Sequence, residues 1–343
     1  MKDLIAQLDP GNQFSVLENS YKQIEVCLGS DLSNIKTDAE SVTSVIITGL
    51  GGSAIAGDLV ANLFRDEISV PYSVNRNYSL PGYAGASTLL IASSYSGNTE
   101  ETISALTDGI KRGCRIICLT TGGTVLEMAK THNLSYVLLP TGFQPRFALY
   151  AGLTTLVRTL NHTGIIKSGE TFLNSMLELI RTKSAIHNCD NSEAVRIAQK
   201  IYNTIPVIYS ADDYTYAVGE RFKCNLNENS KMHAFHNVVP EMNHNEIIGW
   251  ETVNGDTSNL SVINILEETY HPQTMKRFNI VSGLILDKGI KVLHILSDQK
   301  DMKMRLMDMV YLLDWVTYYA AILNAKDPSE IDFIHLLKKE LGK

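Results

Sequence analysis

One pattern recurs along this chain and limits its fold more than any other. It is a short apolar run with almost no alternation, ending in small residues and leading into a helical stretch. Val45-Ile46-Ile47-Thr48-Gly49, Thr88-Leu89-Leu90-Ile91-Ala92-Ser93, Arg115-Ile116-Ile117-Cys118-Leu119-Thr120 and Ser135-Tyr136-Val137-Leu138-Leu139 all have this form. A strand with one wet face alternates, whereas a strand apolar throughout needs cover on both faces. Helical patterns at 54–64, 99–111 and 125–131 separate these runs, and another at 147–160 follows them. The spacing predicts an α/β fold, a doubly wound parallel sheet with helices on each face.

A connecting helix is expected over 171–187, and the alternation then resumes. Helices at 191–202, from Tyr216 and at 273–286 interleave with strands at 206–210, 260–266 and 291–296. A long helix from Met302 and a last helix over 330–341 follow. The two halves read as a degenerate repeat. Val45-Ile46-Ile47-Thr48-Gly49-Leu50-Gly51-Gly52-Ser53 corresponds to Val207-Ile208-Tyr209-Ser210-Ala211-Asp212-Asp213-Tyr214, where the glycines are lost. Only the first copy keeps the backbone freedom to wrap an anion. Two domains are therefore expected, 1–165 with phosphate-binding loops and 191–343 with the acid–base residues, joined through 166–190. The substrate is expected in the cleft between them.

Bulk properties exclude several classes. The 343 residues suit two domains, and a net charge of −7 argues against a nucleic-acid partner. No window offers about 18 uninterrupted apolar residues, so no membrane span is expected. The start, Met1-Lys2-Asp3-Leu4-Ile5-Ala6, lacks a signal-peptide core. Five widely spaced cysteines, Cys27, Cys114, Cys118, Cys189 and Cys224, suggest reduced thiols and a cytoplasmic location.

Two loops are fit to hold a phosphate. Gly49-Leu50-Gly51-Gly52-Ser53-Ala54 joins a strand to a helix, where glycines allow close approach and the helix N-terminus offers N–H groups. The same residues satisfy a dinucleotide fingerprint, but the acidic residue wanted about 20 positions on is missing. Tyr72-Ser73-Val74-Asn75-Arg76 stands there instead, which disfavours NAD and leaves an NADP-dependent oxidoreductase as a rival through Arg76. In Ser94-Tyr95-Ser96-Gly97-Asn98-Thr99-Glu100-Glu101-Thr102, three hydroxyls (Ser94, Ser96, Thr99) gather at a second helix N-terminus. Helix capping needs one hydroxyl, not three. Each hydrogen bond to a charged group contributes about 1.5–3 kcal/mol.

A polar cluster lies far from both loops. Glu228, in Asn225-Leu226-Asn227-Glu228-Asn229-Ser230-Lys231, is expected at the end of the helix from Tyr216. The helix dipole opposes a carboxylate there, which favours proton uptake and suits a general base. His244 sits in Asn243-His244-Asn245-Glu246, where flanking amides can fix its tautomer. Alone, each residue has an ordinary alternative, as a surface Glu beside Lys231 and as a turn histidine. His233, His236, Glu241 and His244 raise a metal option, but the spacing fits no common zinc pattern, so no metal is expected. Cys114 and Cys118 read as core.

Together Gly51-Gly52-Ser53, the Ser94–Thr102 stretch, Gln144-Pro145-Arg146, Asn227-Glu228-Asn229-Ser230-Lys231 and Pro240-Glu241-Met242-Asn243-His244-Asn245-Glu246 resemble the bifunctional phosphoglucose/phosphomannose isomerases. That family has two sugar-isomerase (SIS) domains, and the likeness covers nearly the whole chain. The resemblance implies a sugar 6-phosphate substrate bound by Gly51, Gly52, Ser53, Ser94, Ser96 and Thr99. It implies Arg146 as the enediolate stabiliser and Glu228 as the base between C2 and C1. It implies ring opening by His244, contributed across a homodimer interface, and by a lysine of the last helix. Lys338 is favoured over Lys339 because it follows a leucine, as in the family pattern. The implied reaction interconverts glucose 6-phosphate, mannose 6-phosphate or both with fructose 6-phosphate through a cis-enediol, without metal or cofactor. The chain departs from the family at Phe147 and around 232–236, which bears on substrate preference. The rival from another class is a non-catalytic sugar-phosphate-binding SIS regulator, which would need the phosphate loops but no acid–base set.

Overall fold

A computed structural model describes residues 2–37 and 40–342. These residues form two compact units, one spanning Asn19–Arg181 and the other combining residues 2–18 with 182–342.

The first unit is built on five parallel strands, β1 (Ser44–Thr48), β2 (Tyr72–Asn75), β3 (Thr88–Ser94), β4 (Arg115–Thr120) and β5 (Ser135–Leu138), in the order β2-β1-β3-β4-β5. All of β1 and β3 is buried, as their unbroken apolar runs require. Helices Gly51–Leu63, Glu100–Lys111 and Gly123–Thr131 each start where a strand ends. The side chains of Ile46, Leu90, Leu106, Ile116 and Val125 meet in one core cluster.

The second unit carries four parallel strands, β6 (Ile205–Ala211), β7 (Phe235–Val239), β8 (Leu260–Ile265) and β9 (Lys291–Ile295), in the order β7-β6-β8-β9. This repeats β2-β1-β3-β4, so the degeneracy seen in the sequence is a topological repeat that lacks the fifth strand. After β9 the chain instead forms the helix Met302–Leu323, buried over nearly its whole length. That helix is long and apolar enough to cross a membrane, but here it is the central core helix of its unit.

Three features differ from the sequence expectations. Phe235–Val239 is a strand, although no apolar run announced it. It is an edge strand with one fully buried residue, so His236 and Asn237 are tolerated in it. The helix preceding it runs Asp212–Glu228 and so begins four residues before Tyr216. Finally, residues 2–18 belong with the second unit, and its boundary with the first falls inside the helix Gly169–His187, not at 165 or 190. Aromatic residues of the central helix draw the N-terminal segment in. Tyr311 OH donates to the Leu17 carbonyl at 2.8 Å, Tyr318 OH donates to Asp9 at 3.0 Å, and Phe14 meets Trp315 edge-on at 5.1 Å.

Candidate active site

In the first unit the glycine loop and the arginine turn are in direct contact. Gly51 takes a left-handed conformation (φ +52°) and opens its helix, with Leu50 in the capping position and no side-chain cap. A Cβ added at Gly52 would lie 2.7 Å from the carbonyl oxygen of Pro145 and 3.6 Å from the Cα of Arg146. Only a glycine lets the Pro145–Phe147 turn sit on the helix N-terminus. Arg146 is therefore held beside Gly52 and Ser53, buried, with its guanidinium 5.4 Å from the Phe147 ring. Arg76, which left room for a 2′-phosphate, is ion-paired with Asp58 of the glycine-loop helix.

The loop after β3 is braced by the loop after β4. Gly97 has φ +71°, and a Cβ there would collide with the Gly122 carbonyl at 1.7 Å. Val125 N donates to Gly97 O at 2.9 Å, Thr121 N to Tyr95 O at 3.1 Å, and Thr124 N to Asn98 Oδ1 at 3.1 Å. Ser94 Oγ is hydrogen-bonded to Thr99 Oγ1 at 2.9 Å and accepts from Gly97 N at 3.1 Å. Thr99 is the N-cap residue of Glu100–Lys111, yet it makes no side-chain capping hydrogen bond. Since the first turn of a helix leaves N–H groups without intrahelical partners, this braced and uncapped end is suited to an oxyanion. Ser94 is buried, Thr99 half-buried and Ser96 exposed, so the hydroxyls span the depth of the loop.

In the second unit Glu228 is the last residue of its helix. Asn225, Asn229 and Ser230 beside it face away, into the core. Asn225 Nδ2 donates to Asp314 Oδ1 at 3.0 Å, Asn229 Nδ2 to Thr317 Oγ1 at 3.0 Å, and Ser230 Oγ to Thr317 O at 2.7 Å. Arg221 clamps the same Asp314 through two hydrogen bonds of 2.8 and 2.9 Å. These partners lie on the central helix, so the end of the Glu228 helix is bolted in place. Lys231, left-handed at φ +53°, bonds the Asp327 carbonyl and donates to Asn229 O at 3.1 Å. Glu228 is half-buried and lines an open cavity of about 590 Å³ with Asn227, Lys231, Lys326, Phe333 and Ile334.

The bolting residues Arg221, Asp314 and Thr317 were not anticipated from sequence. The available signal was charge inside an apolar helix, since Arg305, Asp308 and Asp314 are all buried. A second unanticipated system links Ser210, His236 and Glu220. His236 Nε2 is 2.8 Å from Ser210 Oγ, His236 Nδ1 is 3.1 Å from Glu220 Oε2, and Lys223 donates to Glu220 at 2.6 Å. Burial alone would raise the Glu220 carboxyl, but hydrogen bonds from His236 and Lys223 outweigh it and hold the group at about 2. Ser210 is fully buried, so this Ser–His–Glu line ties β6, β7 and their helix together and is not a nucleophile array.

His244 ends the short 3-10 helix Glu241–His244 and is exposed. Its neighbouring amides do not orient it. Asn245 Nδ2 donates to Glu241 at 3.0 Å, Asn245 Oδ1 accepts from Glu246 N at 2.6 Å, and Asn243 Nδ2 contacts Met242 Sδ. Glu246 is committed to Tyr209 and Asn237, each at 2.5 Å. Among the described residues no three His, Cys, Asp or Glu side chains gather in metal-holding geometry.

Lys338 and Lys339 lie on the last helix, Asp332–Leu341, which has no buried residue. Phe333 and Ile334 of that helix line the Glu228 cavity. Lys338 is four residues from Ile334 and shares its side of the helix. Neither lysine lines the cavity itself, and Lys339 lies two turns from Asp332, which does. The residues proposed for phosphate binding and Arg146 belong to the first unit, whereas Glu228, His244 and Lys338 belong to the second.

Comparison with known proteins completes the picture. The family described as bacterial phospho-glucose isomerase C-terminal SIS domain matches residues 190–341. The bifunctional phosphoglucose/phosphomannose isomerase of Caldicellulosiruptor bescii is 34% identical over 337 residues, covering 96% of this chain and 99% of the relative. The D-glucosamine-6-phosphate 4-epimerase of Sulfolobus acidocaldarius is 30% identical over 298 residues, covering 82% and 91%. The tagatose-6-phosphate ketose/aldose isomerase structure from Escherichia coli matches with a TM-score of 0.64 over 92% of this chain and 89% of that one; at 14% identity this is a likeness of fold. With one-third identity running almost end to end, the chain belongs to the bifunctional phosphoglucose/phosphomannose isomerase family.

Proposed function

We propose that this protein is an aldose–ketose isomerase that interconverts glucose 6-phosphate and mannose 6-phosphate with fructose 6-phosphate. The observation that carries this reading is a carboxylate, Glu228, fixed at a helix end by a buried lattice and opening onto a cavity. A proton-transfer base must be held still and yet be reachable, and this placement supports both.

In this reading the braced Ser94–Thr99 loop, with Gly51, Gly52 and Ser53, binds the phosphate, which takes no part in bond changes and serves as an anchor. His244 and Lys338 move protons during ring opening. Glu228 then takes the proton from C2, the C1 carbonyl oxygen becomes an enediolate oxyanion, and Arg146 offsets that charge. Transfer of the O2 hydroxyl proton to O1 and return of the abstracted proton to C1 give the ketose. Protonation of the same planar enediol from either face at C2 accounts for both aldoses.

We also place His244 in the neighbouring subunit's site in a homodimer. Its exposure supports this, as does the last helix, where Phe333, Leu336, Leu337 and Leu341 are left exposed. A solvated apolar stripe of this kind marks an interaction surface. The protein is placed in the cytoplasm, supported by its cysteines, all of them free.

A coupled assay on fructose 6-phosphate tests the activity. Glu228→Gln should lower kcat by about 10²–10⁴-fold with little change in KM, and equal turnover would remove Glu228 as the base. Mannose 6-phosphate that yields no fructose 6-phosphate would restrict the enzyme to glucose. Conversion of glucosamine 6-phosphate at C4, with no product from the other sugars, would assign the epimerase activity of the Sulfolobus relative instead. For the dimer, mixing inactive Glu228→Gln and His244→Ala proteins should restore activity; no recovery after subunit exchange would count against a shared site.

A further inference from the structure

The second unit contains another cavity, about 240 Å³, that shares no lining residue with that of Glu228. His187, the last residue of Gly169–His187, lines it. This histidine is 3% exposed, and both ring nitrogens lack a hydrogen-bond partner among the described residues. Its ring meets Tyr311 edge-on at 5.9 Å, and its carbonyl accepts from Tyr319 OH at 2.8 Å, so the residue is firmly placed. Desolvation, helped by Lys183 and opposed by Asp308, pushes the imidazole down to about 4. It is therefore neutral near pH 7 and offers one donor and one acceptor. Leaving both unmet in the interior is costly unless something enters to meet them.

The remaining lining defines what enters. Lys183 Nζ donates to Asp308 Oδ2 at 2.9 Å, and Ser297 Oγ donates to the same oxygen at 2.7 Å. Asp308 is thereby held by two donors. Asp298 is 3.8 Å from Lys183 with its side chain 88% exposed, and Glu193 is also exposed, so two carboxylates stand where the cavity meets solvent. One cation faces three carboxylates, a balance that repels phosphate and draws an ammonium group. Ser297 lies two residues beyond the end of β9, at the carboxyl edge of the sheet, where open parallel sheets receive ligands. The volume holds roughly eight waters, or one small metabolite.

We infer that this cavity is a binding site for a small amine-bearing, hydroxylated molecule, with the ammonium at Glu193 and Asp298 and a hydroxyl on His187. The inference does not depend on the isomerase reading. It is tested on the full chain by calorimetry and by histidine imidazole NMR, with glucosamine, glucose and inorganic phosphate as probes. Glucosamine should bind and shift the His187 resonances. Glucose, lacking the charge, should bind about tenfold more weakly, and phosphate should leave His187 unmoved. Glu193→Gln combined with Asp298→Asn, both exposed, should weaken glucosamine about tenfold without altering fructose 6-phosphate turnover. His187→Leu should also abolish the binding heat. The site is overturned if glucosamine gives neither heat nor shift, so that the cavity holds water alone. It is equally overturned if the double variant binds glucosamine as the wild type does, or if phosphate moves His187 more than the amine.

Discussion

After β3 the chain runs Ser94-Tyr95-Ser96-Gly97-Asn98-Thr99 into a helix; after β8, at the same place in the strand order, it runs Leu266-Glu267-Glu268-Thr269-Tyr270-His271 into another. The first turn is made of small hydroxyl residues and leaves its helix N-terminus without a side-chain cap. The second holds its own anion. Glu267 is buried, accepts from Arg305 at 2.6, 2.8 and 3.0 Å, and accepts from Thr269 N at 3.2 Å and Thr269 Oγ1 at 3.0 Å. His271 caps the helix that follows. The turns after β1 and β6 differ in the same way. Gly51 is left-handed and open, whereas Thr215 Oγ1 accepts from Ala211 N at 3.0 Å and fills the second turn. One copy of the duplicated frame leaves its turns without an internal anion, and the other is closed by an internal carboxylate. In the proposed reading, binding and acid–base work fall to different units.

Substitutions in the paired turns should separate folding from binding. The largest expected effect is at Glu267→Gln, which leaves buried Arg305 with only the exposed Glu268, at 3.8 Å, as an ion-pair partner among the described residues. It should cost about 3–5 kcal/mol of stability, read by denaturant unfolding, while KM for the sugar phosphate stays unchanged in the protein that folds. A rise in KM would mean the β8 turn also touches substrate. Acid should next single out the second unit. His187 has its folded value pushed from 6.5 to about 4, so the unfolded chain binds a proton first as pH falls through that window. Stability present above 6.5 is lost toward 4, by roughly 3 kcal/mol. Hydrogen exchange should show earlier opening of the second unit, and His187→Leu should flatten this slope; an unchanged slope would discard His187 as the cause. The smallest effect is at Ser94→Ala. Loss of one hydrogen bond to a charged phosphate should raise KM about tenfold, with kcat retained. An unaltered KM would leave the β3 turn with no more claim to the anion than its counterpart.

Strands β1, β3, β4, β6 and β8 were legible because sheet interiors demand unbroken apolar runs. Strand β7 was not, because an edge position tolerates His236 and Asn237. The position of Glu228 at a helix end was also readable from the local sequence. The duties of its neighbours were not: Asn225, Asn229 and Ser230 bond to Asp314 and Thr317, nearly ninety positions away. A still greater distance hid the capture of residues 2–18 by Tyr311, Trp315 and Tyr318, since no local pattern marks a contact made about three hundred residues later.

The claim that Glu228 carries the proton is tested most directly by following the substrate's own hydrogen. Glucose 6-phosphate deuterated at C2 should lose its label to solvent, or pass it to C1, when incubated with the wild-type protein. With Glu228→Gln the label should stay at C2 over the same interval. Equal exchange by both proteins would contradict the account.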